Sequence, residues 1–404
     1  MSITHSKDGY LLSRRQVLAA AAGGASASLL GMTVKGAEAD PTRVQGSAPS
    51  PLGARSAFEQ IERKPVAGVV SLTPLERLEG TITPADLHFE RHHAGVPRID
   101  PALHELLIHG LVERPLSWSV NELKRFPSVT RTCFIECSGN YFPRAGEFSP
   151  PHMVCGLTSQ SEWTGVPLAT LLREAGVRSR ASWLLAEGSD AAVMSRSIPI
   201  EKALDDALVV YAQNGEALRP AQGYPLRLLL PGWEGNTSIK WLRRLEATDA
   251  PAMSREETSK YTEPMKNGSI RQFSFEIEAR SIITYPAYPA VIEPGWHEIR
   301  GIAWSGHGRV ARVEVSTDGG RTWLDATLQG PVLAKAHTRF GLPWKWSGES
   351  TEILSRATDE TGYVQPTLKQ ILAARGPGSA PYHFNPITGW RVQRDGELRF
   401  NPTG

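Results

Sequence analysis

The chain has 404 residues, with 44 Lys and Arg against 42 Asp and Glu, a near balance that leaves no basic field for nucleic acid and no acidic tail. That length exceeds one ordinary hydrophobic core, so two folded domains are expected. Eleven Trp and 30 Pro suit a loop-rich enzyme rather than a helical bundle, and three Cys are too few for a disulfide scaffold.

Residues 1–39 read as an export signal. Ser13-Arg14-Arg15-Gln16-Val17-Leu18 is a twin-arginine pattern, a weakly apolar run follows from Ala19 to Leu30, and Ala37-Glu38-Ala39 gives an A-x-A cleavage signal. The run is too short and too rich in Ala, Gly and Ser for a membrane span. The twin-arginine pathway exports folded proteins, commonly with a cofactor already loaded, so a periplasmic protein is expected. Residues 40–65, rich in Pro, Gly, Ser and Ala, read as a linker.

Over 66–255 short strands alternate irregularly with modest helices, which predicts an α+β domain rather than regular βαβ repetition. Leu106–Val112 reads as a strand with a turn. Cys137 follows in the run Phe134-Ile135-Glu136-Cys137-Ser138-Gly139-Asn140, just past a short apolar strand. There its thiolate is offered beyond the strand, and soft thiolate sulfur binds soft metal centres. Read alone, a buried core thiol is the plainer reading. Cys133 and Cys137 on one extended strand would lie about 13 Å apart, too far for a disulfide. Val166–Ala175 and Ile200–Ala207 are predicted helical near prolines, and Leu226–Leu230 is predicted as a buried strand.

Over 270–395 the texture becomes all-β. Arg309–Ser316 alternates, with Val313 and Val315 on one face, Asp318-Gly319-Gly320 makes a turn, and Thr322-Trp323-Leu324 begins a return strand. Further strands at Thr338–Leu342 and Glu352–Thr358 complete an immunoglobulin-like β-sandwich pattern without its Cys pair.

Several separated segments stand in one order: Phe89-Glu90-Arg91-His92-His93, the Cys137 run, Glu162-Trp163-Thr164-Gly165-Val166-Pro167-Leu168, Ser197-Ile198-Pro199, Asn214-Gly215-Glu216, Gly223-Tyr224-Pro225-Leu226-Arg227, Pro231-Gly232 and Lys240-Trp241-Leu242. Together they resemble the sulfite oxidase family of molybdenum enzymes. Pro231-Gly232-Trp233-Glu234-Gly235-Asn236, Glu257-Thr258-Ser259-Lys260-Tyr261-Thr262 and Asp359-Glu360-Thr361-Gly362-Tyr363-Val364-Gln365-Pro366 bring the likeness nearest to the molybdenum subunits of sulfane dehydrogenases in bacterial thiosulfate oxidation.

The resemblance implies a molybdenum–molybdopterin cofactor with Cys137 as its one protein ligand to the metal. It implies a cofactor cradle of Phe89, Arg91, His92, His93, Cys137, Asp190, Gln222, Arg227, Ser238, Ile239 and Lys240. Arg227 and Lys240 match the residues at the phosphate end, where arginine binds in a fork, and Asp190 matches an acceptor for pterin nitrogens. His92 stands where the family has Asn, and Gln222 where sulfite oxidases have His. Arg91, Cys137 and Tyr261 match catalytic positions, the phenol of Tyr261 serving as a hydrogen-bonding and proton-moving group. In isolation Arg227 reads as a salt-bridging residue, Asp190 as a helix cap and the histidines as loop residues; their order along the chain favours the site.

Where true sulfite oxidases place arginines around sulfite, this chain has Phe142 and His383. Losing that charge weakens the case for a free dianion and favours sulfur on a carrier protein. The activity implied is oxygen-atom transfer to carrier-bound sulfane sulfur. No haem-attaching C-x-x-C-H occurs, so no haem is expected in this chain and electrons would pass to a c-type cytochrome subunit. The C-terminal sandwich corresponds to a dimerisation domain, implying a homodimer of molybdenum subunits within a larger hetero-oligomer. The alternatives are a periplasmic sulfite dehydrogenase acting on free sulfite, a molybdenum reductase of the methionine sulfoxide type, whose group typically lacks the sandwich, and a non-catalytic binding protein.

Overall fold

The strand that leads into Cys137 separates two hydrophobic cores in the computed structural model of the chain, which describes residue 45 and residues 48–140, 145–376 and 382–402. The twin-arginine pattern and Phe142 lie outside the described residues. Residues 60–404 form one compact unit, and the described residues before it carry no strand or helix. The expected linker ends slightly early, at a short strand over Lys64–Ala67.

Val129–Glu136 pairs antiparallel with Thr158–Pro167 along its whole length, from Val129 opposite Gly165 to Glu136 opposite Thr158. Thr158–Pro167 pairs in turn with Leu208–Gln213, which also takes Arg227–Leu229. Because side chains alternate along a strand, Cys133 and Ile135 enter one core with Trp163, Val210 and Leu229, while Phe134 enters the other with Trp304 and Ile302. Cys137 continues the first face, and Glu136 turns to the second.

A second sheet runs in the order Leu116–Ser119, Glu105–Gly110, Leu242–Thr248, Trp183–Gly188, Ser195–Pro199, with Glu105–Gly110 and Leu242–Thr248 parallel and the rest antiparallel. The predicted helix from Val166 begins at Leu168, since Val166 and Pro167 still belong to the strand. It buries Leu168, Leu171, Leu172 and Ala175, one face at helical spacing, each leucine contributing roughly 2 kcal/mol, and Gly176 ends it at φ 69°. Ile200–Asp205 is the second predicted helix, two residues shorter than expected.

The C-terminal region is a β-sandwich, as expected. One sheet holds Arg280–Tyr285, Gly295–Trp304, Thr338–Trp346 and Thr327–Gln329; the other holds Leu324–Asp325, Val310–Ser316, Thr351–Asp359, Gly389–Val392 and Leu398–Asn401. Val313 and Val315 face its core. Glu314 on the opposite face is also buried, covered by Arg356 at 2.7 Å and Arg312 at 2.6 Å. Among the described residues no helix is long and apolar enough to cross a membrane.

Candidate active site

Cys137 leaves the end of its strand and enters a tight turn. Its amide donates to Leu157 O at 3.0 Å, and its carbonyl accepts from the Asn140 amide at 2.9 Å. Asn140 braces the turn, accepting from the Leu157 amide at 2.7 Å and donating to Glu136 Oε1 at 2.8 Å. The loop carrying Gly235 lies against it, the Gly235 amide donating to Glu136 O at 2.6 Å. A Cβ at Gly235 would come within 2.8 Å of that carbonyl, so only glycine allows the approach.

The thiol opens into a cleft whose empty space, open solvent included, is about 580 Å³. Eleven of the twelve residues expected at the site line it: Phe89, Arg91, His92, His93, Cys137, Asp190, Arg227, Ser238, Ile239, Lys240 and Tyr261. Gln222 is the exception and stands one layer back. Its Nε2 donates to Phe89 O at 2.8 Å, and its carbonyl accepts from Arg227 Nη1 at 3.2 Å. It therefore supports the cleft through Phe89 and Arg227, a correction to its expected place in the lining. Met194, Gly235, Asn236 and Trp241 complete the lining. Each is next to, or within a few residues of, a matched position, but none has a chemistry that singles it out.

Positive charge gathers at one end. Lys240 Nζ donates to Arg91 O and Ala221 O, each at 3.2 Å, and pairs with His92 Nδ1 at 2.7 Å. It also lies 4.6 Å from the centre of the Trp241 ring. His92 Nε2 is fixed by Glu90 Oε2 at 2.8 Å. Arg227 is buried, stacked 5.4 Å from the Trp163 ring centre, and its Nε has no acceptor. Burial pulls Arg227 down to about 9, and burial with the neighbouring Arg227 charge pulls Lys240 well below the usual lysine range. Asp190 is the single carboxylate in the lining among the described residues, and its Oδ1 is shared with the Met194 amide at 3.0 Å.

At the Cys137 end, Tyr261 Oη pairs with His93 Nε2 at 3.1 Å and its ring meets Tyr382 at 5.6 Å between centres. Burial, with the Arg91 charge next, lowers His93 to about 4, and burial raises the Tyr261 phenol. Burial also pushes the Cys137 thiol up. Behind Tyr261 the guanidinium of Arg196, fully buried, sits 4.9 Å from the ring centre. It bridges Glu257 and Glu234, both at 2.9 Å. Glu234 Oε2 accepts from Asn236 Nδ2 at 2.8 Å, and the same amide reaches Ser138 Oγ at 3.1 Å, next to Cys137.

His383 corrects an expectation about charge. Burial alone would keep it neutral, but Glu278 at 3.1 Å and Glu234 at 3.6 Å push it up to about 10. The positive charge expected to be lost there is present, and two carboxylates hold it. Cys133 and Cys155, buried and pushed up to about 12 by burial, are core thiols.

These residues fit the implied cofactor. A buried guanidinium whose Nε has no acceptor, beside a desolvated ammonium, lacks counter-charge, which a phosphate supplies. Among the described residues no group of three or more His, Cys, Asp or Glu could cage a metal.

Residues 93–256 match the oxidoreductase molybdopterin-binding domain and residues 271–389 the Mo-co oxidoreductase dimerisation domain. A chain in the crystal structure of the sulfane dehydrogenase SoxCD from Paracoccus pantotrophus superposes with a TM-score of 0.85 at 43% identity, covering 89% of this chain and 97% of that one. Sulfite oxidase from Gallus gallus is 34% identical over 347 residues, 77% of this chain and 74% of its own length. An NADH nitrate reductase from Ulva prolifera is 30% identical over 72% of this chain, which spans 38% of that longer protein. The chain belongs to the sulfite oxidase family of molybdenum oxidoreductases.

Proposed function

We propose that this enzyme oxidises sulfane sulfur held on a carrier protein, in the periplasm after twin-arginine export, and passes the electrons to a c-type cytochrome. The observation that carries this reading is the 43% identity, at near-complete coverage, to a chain of the sulfane dehydrogenase SoxCD, against 34% to a sulfite oxidase. The bound molybdenum cofactor would supply two-electron oxygen-atom transfer, in which each oxygen added to sulfur comes from one water and releases two protons and two electrons.

The chain's own residues hold and orient. Cys137 would be the thiolate ligand. Arg227 and Lys240 would hold the phosphate, and Asp190 would accept from pterin nitrogens. With its pKa near 4, His93 is neutral at pH 7, so its Nε2 and the Tyr261 hydroxyl share an uncharged hydrogen bond. Tyr261 stays a phenol, because burial raises it, and so acts as a fixed hydrogen-bonding group beside Cys137 rather than a standing charge. Arg91 is the guanidinium shared by the cofactor cleft and the Cys137 end. The sandwich domain supports a pair of molybdenum subunits, with the cytochrome as a further subunit.

The test uses purified holoenzyme with its cytochrome acceptor, offered either free sulfite or a carrier-protein persulfide. Turnover on the carrier with poor turnover of sulfite is expected. Rapid cytochrome reduction by free sulfite would falsify the carrier reading and make the enzyme a sulfite dehydrogenase.

A further inference from the structure

Arg196 stands on the edge strand Ser195–Pro199, fully buried, and its guanidinium reaches both loops that frame the Cys137 end of the cleft. Toward the Tyr261 loop, Nε donates to Glu257 Oε1 at 2.9 Å, and the Ser197 amide donates to the same oxygen at 2.8 Å. Glu257, also fully buried, sits in a widened turn over Glu256–Lys260, which the Tyr261 amide closes by donating to Glu256 O, five residues back, at 2.9 Å. Turns of this π type gather at functional sites. The guanidinium also lies 4.9 Å from the Tyr261 ring centre, so Arg196 meets both the carboxylate early in the turn and the ring at its end. Toward the other loop, Nη1 donates to Glu234 Oε1 at 2.9 Å. Next to Glu234, the Gly235 amide donates to Glu136 O and Asn236 joins Glu234 to Ser138, the two neighbours of Cys137.

Stability alone does not account for this cluster. A guanidinium and two carboxylates in the interior give up hydration that their attraction scarcely repays, and apolar side chains of similar volume commonly fill such a space as well or better. Arg196 Nη2 and Glu257 Oε2 have no partner among the described residues, so the charges are not even fully satisfied. What apolar side chains cannot supply is direction: the rigid fork of a guanidinium holds carboxylates from two separate loops at set angles. We propose that Arg196 is a positioning residue, which sets the Tyr261 phenol against Cys137 by tying the Glu257 turn and the Glu234 loop to one guanidinium. It acts through Tyr261. The inference therefore rests on the place given to Tyr261 above, and it holds for either sulfur substrate.

Full-length Arg196→Lys, Tyr261→Phe and the double variant are compared with wild type as holoenzymes, each well below its melting temperature. Lysine keeps the charge but gives up the fork. Arg196→Lys is expected to lower kcat about tenfold with little change in KM, the mark of a misplaced group that matters in the transition state. Tyr261→Phe should lower kcat as well, and adding Arg196→Lys to it should cost less than about twofold further, because the two residues act as one unit. In apo protein labelled with fluorotyrosine, the fluorine resonance that Tyr261→Phe removes should shift or broaden in Arg196→Lys, which a loss of stability alone does not produce in folded protein. An unmoved resonance, or kcat losses that add in full, overturns the inference and leaves Tyr261 its place. A Tyr261→Phe enzyme with wild-type kcat overturns that place and the inference with it. If Arg196→Lys does not fold, Glu257→Gln, which loosens the turn from the other side, carries the same expectations; failure of both to fold makes the cluster structural and overturns the assignment.

Discussion

Replacing Arg196 with methionine tests whether the buried ion cluster supports Tyr261. Arg196 is fully buried, and its guanidinium holds Glu257 and Glu234 at 2.9 Å each while lying 4.9 Å from the Tyr261 ring centre. Methionine is of similar length but strands two carboxylates in an interior where each is less than 4% exposed. Breaking a buried pair in this way costs about 3–5 kcal/mol, and the lost contact with the aromatic face adds about 1 kcal/mol. A total near 5 kcal/mol, at roughly 2–4 °C per kcal/mol for a domain of this size, lowers the melting temperature by about 10–20 °C. Thermal unfolding followed by circular dichroism at pH 7 measures it. Arg196→Lys keeps the charge but not the fork and should recover part of the loss. Adding Glu257→Gln to Arg196→Met should also recover part, because one stranded charge is gone. In the Arg196→Lys enzyme kcat should fall more than KM, since Tyr261 loses its backing and not its partner. A methionine variant that melts within about 3 °C of wild type, equivalent to roughly 1 kcal/mol, would refute the reasoning.

Cys137→Ser should fold as wild type yet carry no molybdenum and show no turnover, checked by metal analysis beside circular dichroism; a variant retaining metal sinks the ligand assignment. Among the native thiols of the apo protein, Cys137 alone should react with iodoacetamide, slowly at pH 7 and faster at pH 9 because burial raises its pKa, and peptide mapping reads the outcome. Arg227→Ala should lower pterin and molybdenum content of purified protein at least about tenfold, the worth of one charge-assisted hydrogen bond, with chromatographic pterin analysis as the measurement. His383 has a folded pKa near 10 against an ordinary 6.5, so its stabilisation is complete below about pH 6.5 and disappears as pH rises through 10. The pH dependence of urea unfolding between pH 7 and 10 should therefore be steeper in wild type than in His383→Gln, and equal slopes would argue that His383 is not charged.

Much of the site was legible because its residues lie in short ordered segments whose chemistry is local: Arg91 to His93 before the cleft, Cys137 at a strand end, Arg227 and Lys240 facing each other across an isolated bridge. Gln222 shows the limit, since a segment's identity does not say whether its side chain faces the cavity or props up the wall. The carboxylate clamp was not legible at all. Glu234 and His383 are 149 positions apart, and no spacing rule connects residues joined only by the docking of one domain on the other. For the same reason the substitution of His for Arg read as lost charge, when the true difference is the pair of carboxylates that moved in around it. In the sandwich, alternation located the core face of Val310–Ser316 correctly, but it could not reveal that Arg312 and Arg356 cover Glu314 on the other face.

The turn that carries Cys137 is held from both halves of the protein. Trp304 Nε1 donates to Glu136, Arg280 to Asn140 O and the His383 amide to Ser138 O, all three donors coming from the C-terminal region. The cysteine thus belongs to no single module. A fragment ending near residue 256 would inherit the sulfur without the struts that aim it. The same struts make the sulfur a gauge of the sandwich: a load placed on that domain is felt one residue away from the atom proposed to hold the metal.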